Sequence, residues 1–186
     1  KVFALATQIY VEDASGNTLY YVKQKMFKLK EDISVFSNDS QSDKRFTIKA
    51  DRVIDFSAAY NFTDGKGGVL GSIKRQGMKS IWKASYQIRD GNDQVVMTVA
   101  EENPWAKVIE AVASNIPVVG IVVNYLVNPI YAVTLANGTK AFRLVKKPSI
   151  FERQFELEQV TPVAGTDQDR AILGLLMMVL LERSRG

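Results

Sequence analysis

The segment Ala171-Ile172-Leu173-Gly174-Leu175-Leu176-Met177-Met178-Val179-Leu180-Leu181 constrains this chain more than any other stretch. Thr166, with Asp169 three residues on, forms a capping pattern ahead of it, so the spacing predicts a helix over 167–183. It is apolar around its whole circumference, and such a helix must be covered on every side by protein or lipid. At ~1.5 Å per residue the run reaches roughly 16 Å, about half of a ~30 Å hydrocarbon core. Asp167, Asp169, Arg170, Glu182 and Arg183 close its two ends with charge. Protein is the better cover. Burying about eight large side chains at ~2 kcal/mol each offers on the order of 15 kcal/mol before entropy is subtracted.

The rest of the chain supplies walls. From Val2 to about Ala100 it consists of short apolar or alternating runs separated by Asp13-Ala14-Ser15-Gly16-Asn17, Ser37-Asn38-Asp39-Ser40, Asp64-Gly65-Lys66-Gly67-Gly68 and Asp90-Gly91-Asn92-Asp93. These separators are rich in residues that accept positive φ or bond their own backbone, which marks hairpin tips. Alternation sorts the faces. Phe27, Leu29, Ile33, Val35, Phe46, Ile48, Ser80, Trp82, Ala84, Tyr86 and Ile88 point inward, and Lys28, Lys30, Asp32, Arg45, Lys49, Lys79, Lys83, Gln87 and Arg89 point outward. One solvated face indicates antiparallel sheet. About ten such strands around an all-apolar helix are best satisfied by a closed barrel, which covers the helix and removes the sheet edges.

Asn103-Pro104 breaks the pattern and opens a short amphipathic helix signal, with Trp105, Val108, Ile109 and Val112 as its stripe. Residues 111–139 then carry no charge, a length sufficient for a bilayer span. Because Asn115, Asn124, Asn128, Pro117 and Pro129 interrupt it and its apolar residues are mostly β-branched, two buried strands broken at Asn128-Pro129 are expected instead. Asn137-Gly138 predicts a type I′ hairpin into Lys140–Lys146, and Phe151–Val160 reads as a last strand.

Composition limits the chemistry. With 186 residues, 46% hydrophobic and 24% charged, one globular domain over 1–186 is expected. Without Cys or His there is no disulfide, thiolate nucleophile, imidazole base or Cys/His metal site, and no cofactor is expected. Zero Cys fits a reducing cytosol and equally a periplasm. The opening Lys1-Val2-Phe3 is not a signal peptide, and a start without Met suggests a trimmed chain.

Several stretches together resemble the tubby C-terminal-like superfamily, in particular its LURP-one-related branch, with phospholipid scramblases as another branch. They are Tyr21–Leu29 with Ile33–Phe36, then Ser85–Gly91, Phe142–Ser149, and the apolar C-terminal helix. The resemblance implies a mainly β fold: a closed antiparallel barrel of about twelve strands around a central hydrophobic helix. Residues 104–128 look like an insertion relative to that family. The acylated cysteines of the scramblase branch have no counterpart here, so scrambling finds no support.

Four features are candidates for function. Lys28, Lys30, Arg45, Lys49, Lys79, Lys83, Arg89 and Arg143 form an outward basic comb that would suit anionic headgroups, although Glu31, Asp32, Asp51 and Asp55 are interspersed and a merely solvated face is the competing reading. In tubby proteins a basic barrel face binds phosphoinositides, an analogy at the level of the fold. The Gly-rich run Asp64–Ser72 lacks the Gly-Lys-Ser/Thr ending of a phosphate loop and reads as a hairpin tip. Glu101-Glu102, with Glu152, Glu156 and Glu158, offer carboxylates for acid/base work or a divalent cation, but alternate as the wet face of a strand would. Trp105 and Val118–Val127 offer an apolar patch for a membrane, a partner or a second copy, against satellite core. The expected function is a non-enzymatic binding module for anionic phospholipid, cytoplasmic and peripheral to the membrane. The alternative is a protein-interaction or scaffold domain using Trp105–Asn128. Nucleic acid is disfavoured because no aromatic residues interleave with the basic comb.

Overall fold

The computed structural model describes residues 6–25, 32–52, 58–76, 85–102, 130–147 and 154–183. Among these residues eleven strands form one sheet: β1 (Ala6–Glu12), β2 (Thr18–Lys25), β3 (Ile33–Phe36), β4 (Lys44–Ala50), β5 (Ala59–Asp64), β6 (Val69–Arg75), β7 (Ser85–Asp90), β8 (Val95–Glu101), β9 (Ile130–Leu135), β10 (Lys140–Lys147) and β11 (Gln154–Gln159). Each pairs antiparallel with its neighbours in chain order. The sheet is therefore a meander with two ends. At one, the turn end, lie the hairpins β1–β2, β3–β4, β5–β6, β7–β8 and β9–β10; even-numbered strands finish at the other.

The turns share one chemistry. Asp13, Asp64 and Asp90 each open a hairpin, and Oδ1 of each accepts two backbone amides: Ser15 and Asn17 at 2.8 and 2.9 Å, Lys66 and Gly68 at 2.8 and 2.7 Å, Asn92 and Gln94 at 2.9 and 2.9 Å. Such local carboxylate bonds offer the backbone a turn in place of a continued strand. The Asn137-Gly138 hairpin departs from the expected type I′ form. Type I′ needs positive φ at both central residues. Only Gly138 has it, at 87°, and Gly138 N donates to Leu135 O while Leu135 N donates to Thr139 O. This is a type I turn closed by a left-handed glycine, a three-residue loop.

The expected alternation holds where it falls on described residues: Ile33, Val35, Phe46, Ile48, Tyr86 and Ile88 are buried, and Asp32, Arg45 and Lys49 are exposed. Phe27, Leu29, Ser80, Trp82 and Ala84, the short helix at 104–115 and the first of the two strands expected within 111–139 lie outside the described residues. The second is β9.

The C-terminal helix, α1 (Gly165–Arg183), has eight successive residues, Ala171–Met178, all buried. At 100° per residue these sample every direction around the axis. Its side chains share one core with Val22, Val35, Ile48, Phe62, Ile73, Ile88, Met97, Val133 and Phe142, drawn from strands across the sheet. Gly174 lets the helix close on the wall, since a Cβ there would lie 2.6 Å from Ile88 Cδ1. The helix is not capped as expected. It begins at Gly165, so Thr166 sits inside its first turn, and Asp169 Oδ1 instead accepts the Tyr20 hydroxyl of β2 at 2.7 Å. Burial and that bond push the Tyr20 hydroxyl well above its ordinary range, so it remains a donor. Next to it, Arg170 Nε donates to Leu70 O of β6 at 2.6 Å. Two strands four apart in the sheet thus grip adjacent residues at one helix end, which requires the sheet to curl around α1. Among the described residues no ladder joins β1 to β11, so they show a curled eleven-stranded sheet, and the expected closure into a barrel of about twelve strands is not shown by them.

Candidate ligand surface

The basic comb is divided by the structure. Lys28 and Lys30, between β2 and β3, and Lys79 and Lys83, between β6 and β7, lie outside the described residues. Arg45 and Lys49 stand on β4, Arg89 on β7 and Arg143 on β10. At about 4.8 Å per strand, three-strand intervals separate these positions by roughly 14 Å, beyond the ~10 Å over which exposed charges act together at 0.1 M salt. Each also has a nearby carboxylate. Arg45 Nη1 is 3.9 Å from Asp43, Lys49 Nζ 3.6 Å from Asp32, Arg89 Nη1 2.9 Å from Asp93, and Arg143 Nε 3.0 Å from Glu102. The side chains of the first two pairs are half exposed or more and hold each other weakly. The described comb residues are thus not brought together on one face.

The acidic candidates are likewise engaged. Glu102 receives both Lys140 and Arg143. Burial works to raise its carboxyl, but the two cations outweigh burial and hold it below the usual carboxylate range. A carboxylate so held stays ionised at neutral pH and is a poor general acid. Glu156 pairs with Lys147, and Glu101 stands opposite Tyr131 in the ladder. Glu152 lies outside the described residues and Glu158 is exposed. The Gly-rich run is the β5–β6 tip, and the Lys66 and Gly68 amides that would cradle a phosphate already donate to Asp64. Trp105 and Val118–Val127 lie outside the described residues.

What sequence reasoning missed is a set of lysines near the finishing ends of even-numbered strands: Lys23 on β2, Lys74 on β6 and Lys146 on β10. Among the described residues none makes an ion pair within 4 Å, although Lys74 is close enough to Asp51 to help hold its carboxyl below the usual range. Lys23 is exposed, and Lys74 follows the fully buried Ile73, so it stands on the outer face. Acids near this end are engaged: Asp32 pairs with Lys49, Asp51 with Arg52 at 3.3 Å, Glu156 with Lys147, and Glu102 with Lys140 and Arg143. Neither short motif nor local alternation marks these lysines, because ion pairs such as Asp32–Lys49 and Glu156–Lys147 join segments that are apart in sequence. No helix among the described residues is long and apolar enough to cross a membrane.

A family model described as LURP-one-related matches residues 18–182. No curated protein and no solved structure matches the chain.

Proposed function

Since the chain belongs to the LURP-one-related family, we propose that it is a non-enzymatic binding module that takes anionic phospholipid headgroups at a membrane surface. The observations that support this reading are the family match and, among the described residues, the cations Lys23 and Lys146, which make no ion pair with any described carboxylate. Each lysine near an anionic bilayer contributes about 1 kcal/mol, and a paired lysine must give up its partner to do so. The non-enzymatic part is supported by Glu102 and Glu156, whose carboxylates are engaged by cations. In a co-sedimentation assay the chain should bind phosphatidylcholine vesicles containing phosphatidylserine. Binding should fall as salt shortens the screening length from ~10 Å at 0.1 M toward ~3 Å at 1 M. Equal retention on pure phosphatidylcholine, or indifference to salt, would overturn the reading.

The same proposal includes a closed wall, with β1 and β11 meeting to seal the sheet around α1. Its support is the burial of Ala171–Met178 in every direction and the grip of β2 and β6 on Asp169 and Arg170. An edge strand pairs only alternate amides. Closure therefore predicts that hydrogen exchange along β1 and β11 is as slow at all internal positions as along β5 in mid-sheet. Fast exchange at every second amide of both strands would leave the sheet open.

A further inference from the structure

We propose that the outer face of β1–β3 is a docking surface for a protein partner whose contacting segment presents an arginine or lysine beside an apolar side chain. It is independent of the lipid-binding reading, whose lysines it does not use. Strand β2 contains Leu19-Tyr20-Tyr21-Val22, an unbroken apolar run. Such a run needs cover on both faces of the sheet. The inner face has it, since Tyr20 and Val22 pack in the core around α1. Tyr21 lies between them in sequence and so faces outward, and it takes no part in that core.

Strand register sets Tyr21 in an aromatic row. Tyr10 of β1 stands opposite it with ring centroids 4.9 Å apart, and Phe36 of β3 stands opposite it on the other side. Leu19 is the extra residue at the β1–β2 irregularity, between the Val11–Tyr20 and Glu12–Thr18 pairs. Neither Tyr10, Leu19 nor Phe36 belongs to the core around α1. Tyr21 is buried, whereas Tyr10 and Leu19 stay 45% and 42% exposed. The neighbouring β4 and β5 show what a wet face carries instead: Arg45, Thr47 and Lys49, then Asn61 and Thr63. An outward aromatic row is an apolar surface awaiting cover.

Charge selects the cover. On the turn side of the row, Glu12 comes two residues after Tyr10, Asp13 follows it, and Asp39 lies in the β3–β4 connection. All three are exposed and make no ion pair among the described residues. Asp43 is neutralised by Arg45, which leaves Lys44 as the opposing cation. Burial pushes the Tyr21 hydroxyl up, and Tyr10 and Asp39 push it further, which places Asp39 beside the row. A chain with a net charge of +4 thus carries a local excess of acid next to its exposed tyrosine. An anionic bilayer is repelled there. A guanidinium or ammonium can lie over the Tyr10 ring and face Glu12 or Asp39, while its apolar neighbour covers Leu19. Lys23 stands on the same face of β2 but on the side of Tyr21 away from these acids.

The rival account is a satellite core complete in itself. Random short peptides displayed on phage and selected on the full chain should be enriched in arginine or lysine next to leucine or an aromatic residue. Tyr10→Ser with Leu19→Ser should weaken the selected peptides by about tenfold or more. Glu12→Gln with Asp39→Asn, which leaves every apolar contact in place, should weaken them by about threefold, and less so at high salt. Thermal unfolding of both double variants should match the parent's, separating lost contact from lost folding. Amide chemical shifts of the parent chain should move on β1–β3 when a selected peptide is added, a readout that needs no variant. Enrichment of acidic peptides, shifts centred on other strands, equal binding by parent and Tyr10/Leu19 variant, or the absence of any selectable peptide would overturn the proposal. None of these results bears on vesicle binding, so the two readings fail separately.

Discussion

Met177→Asp should abolish the cooperative unfolding transition at neutral pH, while Met177→Leu should retain it within about 1.5 kcal/mol of the parent. Met177 is fully buried in the core that α1 shares with the sheet. An ionised carboxylate there loses its water without gaining a cation, at a cost of several kcal/mol, and the alternative of taking up a proton still leaves a polar group in an apolar site. The lost methionine burial adds about 2 kcal/mol. Together these approach the roughly 5–15 kcal/mol by which a domain of this kind is stable. The effect should be indifferent to which side of the helix is chosen. Leu175, two residues away and so on the opposite side of the helix, is also buried and should behave the same way when replaced by aspartate. Circular dichroism of both variants checks this. A folded Met177→Asp protein with a melting temperature near the parent's would mean that this side of the helix has access to water, and the covered-rod account of the fold would fail.

The helix was legible because its message needs no partner to interpret: residues apolar at every angular position have one physical requirement, burial on all sides. The strands of the first half were legible for a similar reason, since alternation of Ile33, Val35, Phe46 and Ile48 with charged neighbours states which face is wet. Where the reading departed from the structure, a contact distant in sequence decides. Asp169 looks like a cap because Thr166 is three residues before it, yet its bond is to Tyr20, separated by 149 positions. Asn137-Gly138 is compatible with two turns, and the choice rests on the Leu135–Thr139 bond, a pairing of the flanking strands. The basic comb shows the same limit. Its outward direction could be read from alternation, but Arg143 meets a carboxylate 41 positions earlier. Which cation meets which carboxylate is set by strand order and register.

Gly71→Ala should lower stability by about 3 kcal/mol or more, whereas Gly16→Ala should cost only the ~1–2 kcal/mol of a left-handed residue. The two glycines differ in surroundings. A Cβ on Gly16, at φ +83°, meets nothing within 4 Å, but a Cβ on Gly71, at φ +149°, would lie 2.0 Å from the Arg89 carbonyl oxygen of the neighbouring strand. Backbone cannot rotate away as a side chain can. Relief therefore requires β6 and β7 to separate at the Gly71–Asp90 pair. The same site holds the β5–β6 irregularity, where Thr63 faces Val69 while Phe62 faces Gly71 and Leu70 is left between. A bulged residue has its carbonyl turned out of the regular ladder, and the Leu70 carbonyl is the acceptor that Arg170 of α1 uses at 2.6 Å. Forcing Gly71 to move thus loosens the wall and the helix anchor together. In urea titrations the midpoint should fall with the slope unchanged, the mark of lost native stability. Equal midpoints for Gly71→Ala and Gly16→Ala would mean that the strands yield without cost at the bulge, and that the Leu70 anchor contributes little to holding the helix in place.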